Sequence, residues 1–522
     1  MVAKIVYAAA IVFNALGALA APVSNNTQAV FSTTCNGNSY SYDKLAGYGF
    51  VPSDFRDKYG DTLSIGSSIS IKSWKKSGCG YEGILWGLPD RGWNTEGTIN
   101  FIPRLHKFSI KFTPKGSATA ATPASPNLQL EYLDTILFTG PDGTYCTGLD
   151  PDQTGGLEYP GFPVLPTATY EGDGFGGEGP GGRAISVDSE GLTIADDGSF
   201  WVSDEYGPYL YHFSSSGQMT AAIRPPDAIL PLRQGEVSFS ADSPPRYDPD
   251  LEPTPADPTQ GRQNNQGFEG LTMSPDGKSL YVLLQSAAEQ EGGSSSSTRI
   301  PVRFLKYDLE GDDGCAADDA GPVYAGEWVV PLPTFTNAAG KTRVAAQSEV
   351  HFISDSQFLF LPRDSSVGRG QDDSTSVYRH IDIFDISSAT NVMGASHDAF
   401  NTSIASSKGV VNSDVVAATV CPFLDFNINS ELNRFGLHNG GDQDAGLLNE
   451  KWESIALVPV DGEDGANDEY LLFSASDNDF ITQNGYMNGG KLQYQDASGF
   501  NLDHQVLVFK VTLPKGSKPL VA

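Results

Sequence analysis

DSEGLTIADDGSFWVSDEYGPYLYHF, residues 188–213, decides the fold. It contains three short β-type runs, at 192–195, 200–203 and 209–213. The turn Asp196-Asp197-Gly198 joins the first two, and a turn with Gly207 and Pro208 follows the second. Tight turns between short runs of this kind make an antiparallel meander. Acids sit at the strand ends: Glu190 before the first, Asp204 and Glu205 after the second.

The unit recurs. GFEGLTMSPDGKSLYVLLQS opens residues 267–309, QSEVHFISDSQFLFLPRDSS opens 347–386, and WESIALVPV opens 452–511. Glu190, Glu269, Glu349 and Glu453 each stand at the head of a unit, spaced by roughly 80 residues twice and then about 100. A more divergent unit, without the opening Glu but with Asp90 after its second strand, precedes them from residue 68. Repeated four-strand units in one chain predict an all-β fold, a β-propeller of five or six four-stranded blades with long loop insertions. Trp201, Tyr281 and Phe358 fall on the inward side of the alternation and belong to its core.

The predicted organisation is a signal peptide over 1–20, a polar lead-in over 21–60 and one propeller domain over 61–515. The start, MVAKIVYAAAIVFNALGALAAPVS, combines one Lys, an apolar run and small residues near Ala20, the pattern of a secretory signal. Secretion makes Asn25 and Asn401 glycosylation acceptors. It also makes the five Cys candidates for two disulfides and one leftover thiol, with the pairing open. No later segment is apolar enough to span a bilayer. The 522 residues carry 33 Lys and Arg against 64 Asp and Glu, a net charge of −31. Such a surface repels phosphate backbones and excludes nucleic acid as a partner. It also suits a monomer kept dispersed by its own charge.

In a propeller the first strand of each blade lines the central channel, so the four opening glutamates are expected to meet at one mouth. The first two strands of a blade are antiparallel, which brings the second-strand ends, Asp90, Asp204, Glu205, Asp364, Asp477 and Asp479, to the same face. So many carboxylates repel unless a cation sits among them, and an oxygen-only donor set suits Ca²⁺. Glu190, Glu269, Glu349, Glu453, Asp90 and Asp477 are the expected metal ligands. Asp204 and Glu205 are the candidate catalytic pair. Arg91, Arg183 and Arg363 are the candidate holders of a small anionic ester. A fixed acid at a blade head can equally cap backbone N–H groups of the next blade. In that case the protein is a non-catalytic propeller binding a glycan, peptide or cell-wall component through its loops.

The EGLT and SDEYGP combination, together with GFEGLTMSPDGKSLYVLLQS and RFLKYDL, resembles the esterase-like phytase family from about residue 67 to 513. The resemblance implies a secreted β-propeller with hydrolase activity on phosphate or other esters. The glutamate placement is also similar to that of calcium-dependent lactonase-type propellers. Here, however, Glu190 and Glu269 are followed by Gly-Leu-Thr rather than by the E-G-P-x-W pattern of those enzymes.

Overall fold

The computed structural model describes residues 29–309, 321–461 and 467–521. The expected signal peptide, Asn25 and Cys315 lie outside the described residues. Five antiparallel sheets form a five-bladed propeller. Blade one is Ser68–Ser77, Gly80–Leu88, Arg104–Phe112 and Leu128–Leu137. Blade two is Ser189–Ile194, Phe200–Asp204, Leu210–Phe213 and Met219–Ile223. Blade three is Phe268–Met273, Ser279–Leu284, Pro301–Asp308 and Val323–Pro331. Blade four is Ala346–Phe352, Gln357–Arg363, His380–Asp385 and Thr419–Asp425.

Blade five closes the ring. Its inner strands, Ala456–Pro459, Glu469–Ala475 and His504–Thr512, come from the C-terminal part of the chain; its outer strands, Asn38–Val51 and Phe31–Cys35, come from the N-terminal part. The stretch expected as a lead-in therefore supplies the last two strands of a five-stranded blade. Asn38–Val51 runs antiparallel to His504–Thr512, with Tyr48 opposite Leu507. It bulges twice, between Tyr42 and Lys44 and between Leu45 and Gly47.

One disulfide, Cys35–Cys421, joins the outermost strand of blade five to the outermost strand of blade four. Cys79 is free and exposed and Cys146 is free and buried, so the expected second bridge is not formed between described cysteines. The bridge links residues 386 apart in sequence, and a cross-link over so long a loop restricts the unfolded chain strongly. Cys421→Ser is expected to lower stability by about 2–4 kcal/mol. Urea unfolding checks this, and an unchanged midpoint would mean that strand pairing alone holds the ring shut.

The innermost strands do not alternate: Ser189–Ile194 and Phe268–Met273 are buried at every position. Ser189–Ile194 packs between the inner strands of blades one and three, and Phe268–Met273 between those of blades two and four, so both faces are covered. Glycine makes the approach possible. A Cβ at Gly191 would lie 2.5 Å from Leu271 Cβ and 2.6 Å from Glu269 O, and one at Gly270 would lie 2.4 Å from Val350 N. The register of each of these strands also shifts just there, opposite Val202 to Asp204 in blade two and between Phe268 and Leu271 in blade three. A β-bulge re-aims the side chain it carries, and the residue re-aimed in each case is the opening glutamate. Trp201, Tyr281 and Phe358 are buried as the alternation requires.

Candidate functional site

At one mouth of the channel lies a cleft of about 250 Å³ whose lining is polar throughout. Seven carboxylates face it: Asp90, Asp188, Glu190, Glu205, Glu269, Glu453 and Asp479. Three cations, Arg91, Arg363 and Lys451, and the amides of Asn94, Asn265 and Gln285 complete it.

The acids divide into two groups. One oxygen each from Asp188, Glu190 and Glu205 lie within 4.8 Å of one another, all three residues being buried. Glu269 adjoins them. It accepts a hydrogen bond from Gln285 through Oε1, while its Oε2 and the Oε1 of Glu205 are buried without a partner. Burial, then the charge of Glu269, pushes Glu190 far above the usual carboxylate range. Glu269 is raised by burial and then by Glu205 and Glu453. Burial, reinforced by Asp188, pushes Glu205 up to about 8. Four buried carboxylates with spare oxygens are a donor set short of positive charge. Among the described residues, only Arg91 forms an ion pair with it, through Nη1 at 3.3 Å from Asp188 Oδ2.

The second group, Asp90, Asp477 and Asp479, already encloses a cation. Lys451 Nζ lies 2.9 Å from Asp477, 2.8 Å from Asp479, 3.6 Å from Asp90 and 3.8 Å from Glu453. Although burial works against it, Lys451 holds Asp477 below its ordinary pKa. Asp90 and Asp477 are thus ligands of an ammonium group rather than open metal donors. Glu453 is further tied to Arg363, 2.5 Å from Nη2, while the Nε of Arg363 is left without a partner.

Three expected site residues stand elsewhere. Glu349 does not face the cleft. It accepts from Ser68 Oγ at 2.6 Å, Leu271 N at 3.1 Å and Val350 N at 2.9 Å, a carboxylate spent on capping strands of its own and two other blades. Asp204 is buried behind Glu205. Its oxygens accept the backbone N–H groups of Asp188, Tyr206 and Gly207 and the Tyr211 hydroxyl, so it fixes the turn that presents Glu205. Arg183 is exposed on a short hairpin, Thr167–Tyr170 with Gly182–Ile185, and donates to Gly156 O at 3.1 Å.

Asp188 and Lys451 are the residues that sequence reasoning missed. Each stands two positions before an opening glutamate, Glu190 and Glu453, and residues two apart on an extended chain share a side. A charge at that offset was the available signal. Asn401, the second glycosylation candidate, is exposed at a φ of 62°.

Among solved structures, the chain is similar to an N-acetylgalactosamine deacetylase from F. plautii, with a TM-score of 0.30 and 10% identity over 90% of this chain and 95% of that one. It is also similar to the β-propeller domain of Myceliophteria thermophila Cps50 (Swd1), with a TM-score of 0.25 and 8% identity over 92% and 98%. Likeness this remote adds nothing to what the strands themselves establish. A protein of Arthroderma benhamiae described as "Uncharacterized secreted protein" is 52% identical over 483 residues, covering 90% of this chain and 93% of the relative. Residues 81–480 match the family described as "Phytase-like: Esterase-like activity of phytase", and the chain belongs to that family.

Proposed function

We propose that this protein is a secreted, metal-assisted hydrolase of small anionic esters, with phosphate monoesters as its first substrate class. The observation that carries the reading is the group of Asp188, Glu190, Glu205 and Glu269 at the cleft, where two buried carboxylate oxygens have no hydrogen-bond partner among the described residues. Oxygen-only donors with spare lone pairs fit a hard dication such as Ca²⁺. Asp188, Glu190 and Glu269 are the residues that would hold it. When bound, the ion would polarise the ester and lower the pKa of water.

The remaining roles belong to the chain itself. Arg363, with its free Nε–H, and Arg91 face the same cleft and hold the anionic group of the substrate by charge-assisted hydrogen bonds. Lys451 neutralises the acids on the far side, which keeps the field there from repelling that anion. Glu205 is presented by a turn that Asp204 locks, and its raised pKa suits it to take and return a proton near neutral pH. No helix among the described residues is long and apolar enough to cross a membrane, and the relative's description as secreted agrees with export.

Glu269→Gln removes one charge and keeps the shape. Calcium binding, measured by calorimetry, is expected to weaken at least about tenfold, and hydrolysis over a panel of phosphate and carboxylic esters to fall by about a hundredfold or more. Unchanged calcium affinity and turnover in the variant would rule the reading out and favour a binding propeller.

A further inference from the structure

Beside the cleft lies a second cavity of about 400 Å³. Its walls come from the loop before Pro301, from the hairpin Thr334–Thr336 with Thr342–Val344, and from the chain that follows Arg363. The two sites share that last wall: Arg363 faces the cleft, and Asp364, Ser365 and Ser366 face the cavity.

Two arginines, Arg299 and Arg343, line it. Among the described residues, neither makes an ion pair. The Nε of Arg299 is buried without a hydrogen-bond partner. Arg343 spends one N–H on the carbonyl of its neighbour Thr342, at 2.9 Å. Burial, then the charge of Arg343, pulls Arg299 below its ordinary pKa, so the two guanidiniums repel each other. In a chain of net charge −31, an unpaired cation pair in a cavity calls for an explanation. The two carboxylates on the wall do not supply one. Asp364 is used by Ser376 Oγ at 2.7 Å, Val377 N at 2.7 Å and Tyr378 N at 3.1 Å, and Asp373 accepts from Thr375 N at 2.9 Å.

We propose that the cavity between Arg299 and Arg343 is an oxyanion-binding site, separate from the cleft, that takes a phosphate-sized dianion either free or as the head of an ester. Two converging guanidiniums offer planar forks of N–H donors matched to such a group. Ser296, Ser365 and Thr375 line the cavity as well. An anion placed there relieves the repulsion between the arginines and supplies the acceptor that Arg299 lacks.

The test is a calorimetric titration of the full-length protein with inorganic phosphate in the presence of a chelator, so that no metal carries phosphate into the acidic cleft. Wild type is expected to bind, and Arg299→Gln and Arg343→Gln each to weaken binding about tenfold or more. Arg363→Gln is expected to leave it within about twofold. Arg343→Lys, which keeps the charge without the fork, guards against misfolding and is expected to retain part of the affinity; thermal melts confirm that each variant is folded. Glycerol 2-phosphate, titrated in parallel, separates the two sources: tighter binding than phosphate marks an ester head group, weaker binding the free ion, and either order supports the site. No binding to wild type, equal binding to the Arg299 and Arg343 variants, or loss only in Arg363→Gln would overturn it.

Discussion

Lys451→Met is expected to destabilise the protein by about 3–5 kcal/mol at pH 7. The side chain is only 22% exposed and serves four carboxylates. Removing one partner of a buried ionic cluster leaves the others charged and unsolvated, which costs more than the intact cluster contributes. The loss has a pH signature. Without the ammonium, Asp477 loses what holds its carboxyl below the ordinary range, and Asp90 and Glu453, already raised by burial, rise further. The penalty relative to wild type sets in as pH rises through the wild-type folded pKa of each acid, which for Asp477 lies below the ordinary value, and shrinks as pH falls. At pH 4 the variant should approach wild type. Calcium should also stabilise the variant more than wild type, because a dication can replace the lost charge. Urea unfolding at pH 4 and 7, with and without calcium, decides the matter. A loss below about 1 kcal/mol at pH 7 would show that the cluster is solvated in a way its geometry does not suggest.

The second large effect concerns wild type. In a chelator, stability is expected to fall by a few kcal/mol as pH rises from about 4.5 to about 8, each tenfold difference in proton affinity between folded and unfolded chain contributing about 1.4 kcal/mol. Glu205, raised to about 8, and Asp204, raised to about 7, bind their protons more tightly folded than unfolded. Groups of that kind favour the folded state below their unfolded pKa and cease to as pH climbs through the folded one. Glu190 and Glu269 are shifted in the same direction. Calcium should remove most of the slope, adding about 2.7 kcal/mol at a hundred times its Kd, and more at pH 8 than at pH 5 because protons compete for the same oxygens. Melting curves across pH with and without calcium test this. A calcium effect that is absent at pH 8, or larger at pH 5, would contradict it.

How far the site was legible depends on the residue. Glu190 and Glu269 could be placed from sequence because each heads a Glu-Gly-Leu run, and the glycine marks the close contact between blades. Glu349 stands in Ser-Glu-Val-His instead. It sits in the same kind of bulge, between Gln347 and Val350, yet its carboxylate accepts from Ser68, Leu271 and Val350 instead of facing the mouth. Arg183 precedes the opening unit in sequence, but it stands exposed on a separate short hairpin and does not line the cleft. Lys451 escaped notice because a lone lysine among surface charges reads as solvated, and only the ring brings Asp90, Asp477 and Asp479 around it. The repeat limited the blades to five or six, and the structure has five. The closure did not, since Asn38–Val51 pairs with a strand at the opposite end of the chain and no local pattern encodes so distant a partner.

That closure has a consequence for biogenesis. The strand Asn38–Val51 leaves the ribosome long before His504–Thr512 exists, and at ordinary elongation rates it waits for tens of seconds. Throughout that interval the nascent chain carries an open edge able to recruit another molecule. The two bulges beside Lys44 and Gly47 spoil that edge as a template for a flat, regular neighbour. They leave it matched chiefly to the one late-arriving strand, whose continuous run pairs on either side of both inserted residues.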